Sequence, residues 1–283
     1  IEFPEMAKED LDQAIRFEAH KYIPVPLDDI VLSWDVVNKK VPNNILVKKK
    51  EDGELGSNEE GIKNENGKTQ VLLVAAQKKQ VSKYEKLAKD SGFNLKSIEI
   101  ESFSLVRSLV GNDQGNFIIV DIGSRVCNIM LVEKGVIKVN RNIDAGGRDI
   151  TRMIARGMNI DEERADKLKV SGKNFFGSES NMNFPVIDLI IKEVSRVVNA
   201  HYGNSAEQSA VDGIILSGGT AGFPGVQEYF SEKLNIRAVA GNPFGRIEYD
   251  KRLEPAIRTI SNQFSVAIGL ALGGVNEYLK NKK

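Results

Sequence analysis

The sequence predicts an α/β protein of one large or two medium domains, with room for two lobes, and three stretches predict it. Residues 214–226 run from an apolar segment through Ser217-Gly218-Gly219-Thr220 into the start of a helix, an arrangement that brings bare backbone close to a ligand. Residues 116–142 hold three short apolar runs separated by glycine-bearing turns, the pattern of a strand meander. Residues 187–202 place Ile187, Ile190, Ile191, Val194, Val197, Val198 and His201 on one helical face, so this long helix is expected to pack on the sheet.

Bulk properties narrow the function classes. At 283 residues the chain is long enough to bury a sizeable core. Lys plus Arg and Asp plus Glu are equal at 39 each, which leaves no global field to attract nucleic acid or an acidic membrane surface. A single cysteine, Cys127, excludes an intrachain disulfide, and two histidines distant in sequence, His20 and His201, are too few for a Cys/His zinc site. A reduced, cytoplasmic setting is therefore expected. The longest apolar runs, 71–76, 117–120 and 187–191, fall short of the roughly 20 residues that cross a bilayer, so any membrane association is expected to come through partners. The chain opens at Ile1 with neither a basic nor an apolar leader segment and reads as part of a longer protein.

Element by element, helical spacing over 7–22 predicts an amphipathic helix that stops before Pro24 and Pro26. Strands are expected at 30–37 and 71–76, paired around a polar insertion from about 38 to 70, which is too poor in large apolar groups to offset its ordering entropy and is expected to be disordered. A helix at 78–91 closed by Gly92, a strand at 94–101 and a short helix at 102–110 follow. The meander strands fall at 116–121, 126–133 and 136–142, helices at 151–158 and 161–170, then the long helix. A strand at 213–216, a helix at 225–234, a short strand at 238–240 and a helix from about 261 to 272 complete the α/β lobe. Trp34 and Tyr22 read as core residues, and Cys127 as a small core residue inside a strand.

The chemistry concentrates in turns. Val120-Asp121-Ile122-Gly123-Ser124 ends a buried strand with an acid and then turns through glycine, placing amides and a hydroxyl beside a carboxylate that can anchor hydrated Mg2+ or orient a water. The same four residues also suit an ordinary hairpin, and an isolated Gly-Gly also suits a strand-to-helix turn with no ligand. Both readings of each turn stay open on the residues alone. His20 and His201 lack a nucleophile at a useful spacing, which argues against a Ser or Cys mechanism.

Three features occur in one order: Asp121-Ile122-Gly123-Ser124, then Ala145-Gly146-Gly147-Arg148-Asp149-Ile150-Thr151 opening a helix, then Leu216-Ser217-Gly218-Gly219-Thr220. This order resembles the actin-like ATPase superfamily. A fuller resemblance, over nearly the whole chain, is to the type IV pilus assembly family PilM, related to the division protein FtsA. Its most specific part is Glu18-Ala19-His20-Lys21-Tyr22-Ile23-Pro24-Val25-Pro26-Leu27, similar to a stretch of the family's extra subdomain 1C, joined by 71–76 and Glu101-Ser102-Phe103-Ser104-Leu105.

The resemblance implies an actin-like (ribonuclease H-like) two-lobed α/β fold with an inserted 1C-type subdomain. That subdomain would occupy 1–97. The rest of the core would occupy 98–283, with a connecting helix at 102–110, lobe 2 at about 115–255 and a C-terminal helix at about 261–280 returning to lobe 1. It further implies ATP and Mg2+ as cofactors. Asp121, Gly123 and Ser124 would form a phosphate hairpin, Asp121 holding Mg2+ through water, while Gly146 and Gly147 lie on the same face. Asp166 and Lys169, in Ala165-Asp166-Lys167-Leu168-Lys169, would flank ribose and adenine; Gly218, Gly219 and Thr220 would form the adenosine motif.

The implied partners are a PilN-like N-terminal peptide, gripped in a groove between subdomains 1A and 1C near the helix at 7–22, and other inner-membrane platform proteins of the pilus. The implied setting is cytoplasmic, peripheral to the membrane through partners, in a homo-oligomer or ring, without nucleic acid and without direct membrane insertion. Two departures stand out. Nothing upstream of Glu18 resembles the superfamily's first phosphate hairpin, which fits an N-terminally truncated chain, and Arg125, Val126 and Cys127 replace glycine and threonine, so ATPase activity is expected to be weak at most. The alternatives are an FtsA-like division protein, a pure scaffold that has lost nucleotide, and a small-molecule kinase of the same superfamily, for whose base only Asp121 and Glu101 are available.

Overall fold

The computed structural model describes residues 1–4, 6–36, 68–176, 182–203, 210–280 and 282. Two compact units divide the chain, Ile1–Ile100 and Glu101–Lys283. The expected disordered insertion lies outside the described residues except for 68–70, which begin a strand rather than ending a loop.

The first unit is a three-stranded antiparallel sheet in the order β1-β3-β2, with β1 at Glu2–Pro4, β2 at Ile30–Val36 and β3 at Lys68–Gln77. Helix α1, Lys8–Ala19, buries Leu11 and Ile15 against Phe3 and Val71, and its Asp12 accepts a hydrogen bond of 2.9 Å from Trp34 Nε1. Trp34 is thus half-buried with its polar edge satisfied, whereas Tyr22, read as core, is 61% exposed because α1 ends before it. Helix α2, Lys78–Asp90, follows β3 directly, and Gly92 at φ +73° carries the turn after it. The strand expected at 94–101 does not form. Leu95 and Ile100 are exposed, and the segment pairs only through an isolated bridge at Ile98, too little to extend into a strand.

The second unit is built on a five-stranded mixed sheet in the order β6-β5-β4-β7-β8. The meander β4 (Asn116–Ile122), β5 (Cys127–Glu133) and β6 (Val136–Ile143) is antiparallel. β7 (Gly213–Ser217) adds to β4 in parallel and β8 (Ala238–Ala240) adds to β7 in parallel, each after a helical crossover. The crossover helices are α4 (Gly147–Met158), α5 (Glu162–Val170), α6 (Pro185–Tyr202) and α7 (Val226–Leu234).

Alternation along the strands then sorts the core onto two faces. Ile118, Val120 and Ile122 of β4 join Ile129 and Leu131 of β5 and Ile214 and Leu216 of β7 under α4, α6 and α7. Ile119, Met130, Val132 and Ile215 face the other way, against Leu105, Val106 and Val110 at α3, Glu101–Leu109, and Val266 of α9, Ser265–Lys280. The C-terminal helix therefore starts later and runs longer than its sequence spacing indicates. A further short helix, α8 at Glu254–Ile260, was not legible because only Ile257 of its seven residues is buried.

Helices α3 and α9 approach through small residues: a Cβ at Gly269 would lie 2.0 Å from the Ser104 carbonyl oxygen, and Arg107 donates to the Gly269 carbonyl at 2.8 Å. Gly269→Ala is therefore expected to cost about 1–3 kcal/mol through overpacking. Gly274→Ala, beside which nothing lies within 4 Å, should be neutral or stabilising by up to about 1 kcal/mol. Urea unfolding of both variants checks the contrast; equal midpoints would contradict the tight crossing.

Candidate nucleotide site

Parallel pairing of β4 with β7 sets Asp121 opposite Ser217, so the turns that follow them, Gly123-Ser124 and Gly218-Gly219-Thr220, emerge side by side at one edge of the sheet. Gly218 makes this possible. Its φ is +82°, and a Cβ there would sit 2.4 Å from the Ile122 carbonyl oxygen. The third turn joins them from α4: the Gly147 amide donates to the Gly123 carbonyl at 2.9 Å and the Arg148 amide to the Ser124 carbonyl at 2.9 Å. Gly146 is equally tight, since a Cβ would fall 2.7 Å from both carbonyl oxygens. A Cβ on Gly147 would meet Thr220 Oγ1 at 2.8 Å. All three glycine turns singled out in the sequence therefore converge.

Their backbone donors divide into two sets. At α4 the donors are consumed: Gly146 donates to Asp149 Oδ2 at 3.0 Å, and Gly147 and Arg148 to the hairpin. A helix N-terminus that looks suited to an anion is thus spent on docking. By contrast, the amides of Ser124, Arg125, Gly219 and Thr220 donate to nothing among the described residues. Gly219 is exposed, with nothing within 4 Å of where a Cβ would be. Arg125 and Arg148 are exposed and carry no ion pair among the described residues. Four free amides, open space and two unpaired guanidinium groups fit a polyphosphate.

Asp121 is partly covered at the edge. Burial raises its pKa, the neighbouring Ser217 hydroxyl pulls it back, and the negative charge of Glu101 raises it further. Glu101, at the start of α3, is held by Asn128 Nδ2 at 3.5 Å, while Ser102 Oγ accepts from Asn128 at 3.3 Å and from Asn140 at 2.8 Å. Asn128 is 3% exposed, and its Oδ1 has no partner among the described residues. A carboxylate held at a cost, beside another carboxylate and an orphaned amide oxygen, suits a hydrated divalent cation. Sequence reasoning missed Asn128. Only the register that pairs it with Asp121 brings it to this edge.

Asp166 and Lys169 lie on α5, against the start of α4. Lys169 Nζ donates to Asp166 Oδ1 at 2.8 Å, Thr151 Oγ1 at 2.8 Å and the Gly147 carbonyl at 3.2 Å, and its side chain is only 13% exposed. The Lys169 hydrogen bond, aided by Thr151, lowers the pKa of Asp166, whose side chain is 62% exposed. His201 contacts Glu133 Oε1 at 3.0 Å, far along β5 from this edge, and Cys127 is buried with its thiol pKa pushed up by burial. Neither belongs to the site. Among the described residues no group of three or more His, Cys, Asp and Glu side chains is arranged to hold a metal, and no helix is long and apolar enough to cross a membrane.

Known proteins place this arrangement in a class. The structure is similar to a solved chain of a PilM-PilN type IV pilus biogenesis complex, with a TM-score of 0.72 and 23% identity over 97% of this chain and 75% of that one. It is also similar to MreB5 of Spiroplasma citri bound to ADP, with a TM-score of 0.50 and 16% identity over 73% of this chain and 68% of that one. The fold is that of the actin-like ATPases.

Within that class the model of the family described as type IV pilus assembly protein PilM matches residues 58–275, and the chain belongs to this family. Cell division protein FtsA of Helicobacter pylori is 23% identical over 251 residues, 75% of this chain and 49% of the relative. FtsA of Staphylococcus epidermidis is 23% identical over 240 residues, 76% of this chain and 51% of the relative. The chain spans about half the length of these curated relatives.

The raised pKa of Asp121 has a stability consequence with a definite sign. Because the folded state holds this proton more tightly than the unfolded chain, the contribution of Asp121 is most favourable below the ordinary 3.8 of an aspartate and is lost as pH rises through the raised value. Asp121→Asn should therefore unfold at a higher temperature than the native chain at pH 8, with the gap narrowing as pH falls toward 4.5. Thermal unfolding across that range checks it. A variant less stable at pH 8 would contradict the burial cost.

Proposed function

We propose that this protein binds ATP with Mg2+ at the sheet edge formed by the three turns and serves as a cytoplasmic scaffold in type IV pilus assembly. The observation that carries the reading is the set of unpaired amides at Ser124, Arg125, Gly219 and Thr220, next to Asp121 and beside open space at Gly219. In this reading Ser124 and Arg125 hold phosphate oxygens, Asp121 holds Mg2+ through water, and Gly219 and Thr220 meet the adenosine side. Asp166 keeps an exposed carboxylate for the ribose. The ion would offset phosphate charge. Weak turnover at most is expected in this reading, since Arg125, Val126 and Cys127 stand in place of glycine and threonine after the hairpin.

Family membership supports the pilus role, and the solved PilM-PilN complex supports a PilN-like partner, whose N-terminal peptide is the segment proposed to bind. We place that peptide near α1 and the turn after it, where Phe17 is 74% exposed, Tyr22 61% and Val25 37%. Large apolar side chains left exposed are candidates for such a contact. Membrane attachment would then come through the partner, in a homo-oligomer or ring with other platform proteins. An FtsA-like division role is the second reading, favoured by the FtsA relatives.

Two measurements test these proposals. In calorimetric titration with ATP and Mg2+, Gly219→Val should weaken binding at least about 10-fold by filling the open space, and Asp121→Ala should remove most of its Mg2+ dependence. Native and variant proteins that bind alike would overturn the site. In a pull-down with a PilN-like peptide, the native chain should retain it, and Phe17→Ser with Tyr22→Ser should release it; retention by the double variant would move the peptide elsewhere.

A further inference from the structure

We propose that α2 and the turn after it form a docking surface for an anionic lipid bilayer, a contact that does not depend on the nucleotide reading. Residues 78–96 carry six lysines, no arginine and only two acids, Glu85 and Asp90, a net charge of +4 in a chain that is neutral overall. Neutrality of the whole does not cancel the patch. The surface potential of a bilayer reaches only about 10 Å into physiological salt, so it acts on the charges brought close to it.

The helix displays these charges together with apolar groups. Val81, Glu85 and Ala88 are half-buried and mark the face turned toward β2 and β3, while no residue of α2 is fully buried. Helical spacing sets Lys79, Lys83 and Lys86 opposite that face, with Leu87 beside Lys83 and Tyr84 on the flank. Lys78, Lys79, Lys83, Lys89 and Lys96 are exposed and form no ion pair among the described residues, and Lys86 pairs only with the exposed Asp90, at 2.6 Å. Past the helix, the Phe93 amide donates to the Ala88 carbonyl at 2.8 Å and the Gly92 amide to the Lys89 carbonyl at 3.1 Å, with Gly92 at φ +73°. Such a turn brings the chain back toward the last turn of the helix and commonly closes over an apolar contact. Here Leu87 stays 62% exposed and Phe93 76%.

The composition selects the occupant. Protein interfaces are depleted in lysine, and nucleic-acid phosphates are gripped best by arginine forks, of which this segment has none. A lysine-rich helix with exposed Leu, Tyr and Phe suits the headgroup boundary, where ammonium groups meet lipid phosphates and apolar side chains enter the edge of the acyl layer. The helix would lie on the surface and span nothing. A patch of this size gives weak, reversible adsorption, which would add to attachment through a partner.

Co-sedimentation of the full chain with vesicles tests the proposal. At about 0.1 M salt the native chain should bind vesicles of phosphatidylcholine with phosphatidylglycerol about 10-fold more tightly than vesicles of phosphatidylcholine alone. Lys83→Gln combined with Lys89→Gln should weaken the anionic binding by about 10-fold, and Leu87→Ser combined with Phe93→Ser by a similar factor. Lys251→Gln, at an exposed lysine of the second unit, should leave it unchanged. All of these side chains are exposed, and thermal melts that match the native chain show that the variants fold. Equal binding to both kinds of vesicle, binding to neither, or double variants that bind like the native chain would overturn the proposal. Retention on polyglutamate without vesicle binding would also overturn it and give the patch to an acidic protein.

Discussion

Everything at the site depends on the parallel ladder between β4 and β7. These strands are separated in sequence by the meander and three helices, yet their register places Asp121 against Ser217, so both chains leave the sheet at the same level. A shift of one residue would turn Asp121 into the apolar layer with Ile118, Val120 and Ile122, and would move an apolar side chain to the edge. The two-faced core enforces the register. Ile118 and Ile119 are both fully buried but on opposite sides, against different sets of helices, and neither side chain could exchange places without opening a cavity.

Onto that ladder the glycines add close approach. Gly146, Gly147 and Gly218 each sit where a methyl group would strike a carbonyl or a hydroxyl of another turn, so the three turns pack backbone to backbone. This has a consequence for the donors. The amides at the start of α4 are used up in docking, and the donors left over belong to the hairpin and to the turn after β7. The helix is thus the support of the cradle, and the hairpin is its surface. Asp121 and the orphaned oxygen of Asn128 are the unfavourable part of the arrangement, a carboxylate partly withdrawn from water and a buried acceptor without a donor. Local costs of that kind concentrate at functional sites, in keeping with the proposed nucleotide reading.

Much of this was legible in the residues. The meander, the long helix and the strand-turn-helix around Gly218 were read from periodicity and glycine placement, with boundaries displaced by a few residues. The largest misreadings share one cause. The strand expected at 94–101 has a suitable composition but pairs only through an isolated bridge at Ile98; Tyr22 has the size of a core residue but lies past the end of α1; and α8 has too little burial to leave a periodic trace. Each depends on what stands opposite, which one segment cannot record. For the same reason Asn128 was invisible as a site residue, being a polar position inside an ordinary strand until its neighbours are known.

By itself the sequence determined the class of fold, the three glycine turns, and the absence among its residues of an intrachain disulfide or an apolar run long enough to cross a bilayer, because periodicity, glycine and cysteine counts are local properties. Only the tertiary structure decided which amides stay unpaired and which acceptors Lys169 meets. A hydrogen bond needs its partner within about 3 Å, and two of the three acceptors of Lys169, Thr151 and Gly147, lie 18 and 22 residues away in the chain, where spacing alone says nothing of distance.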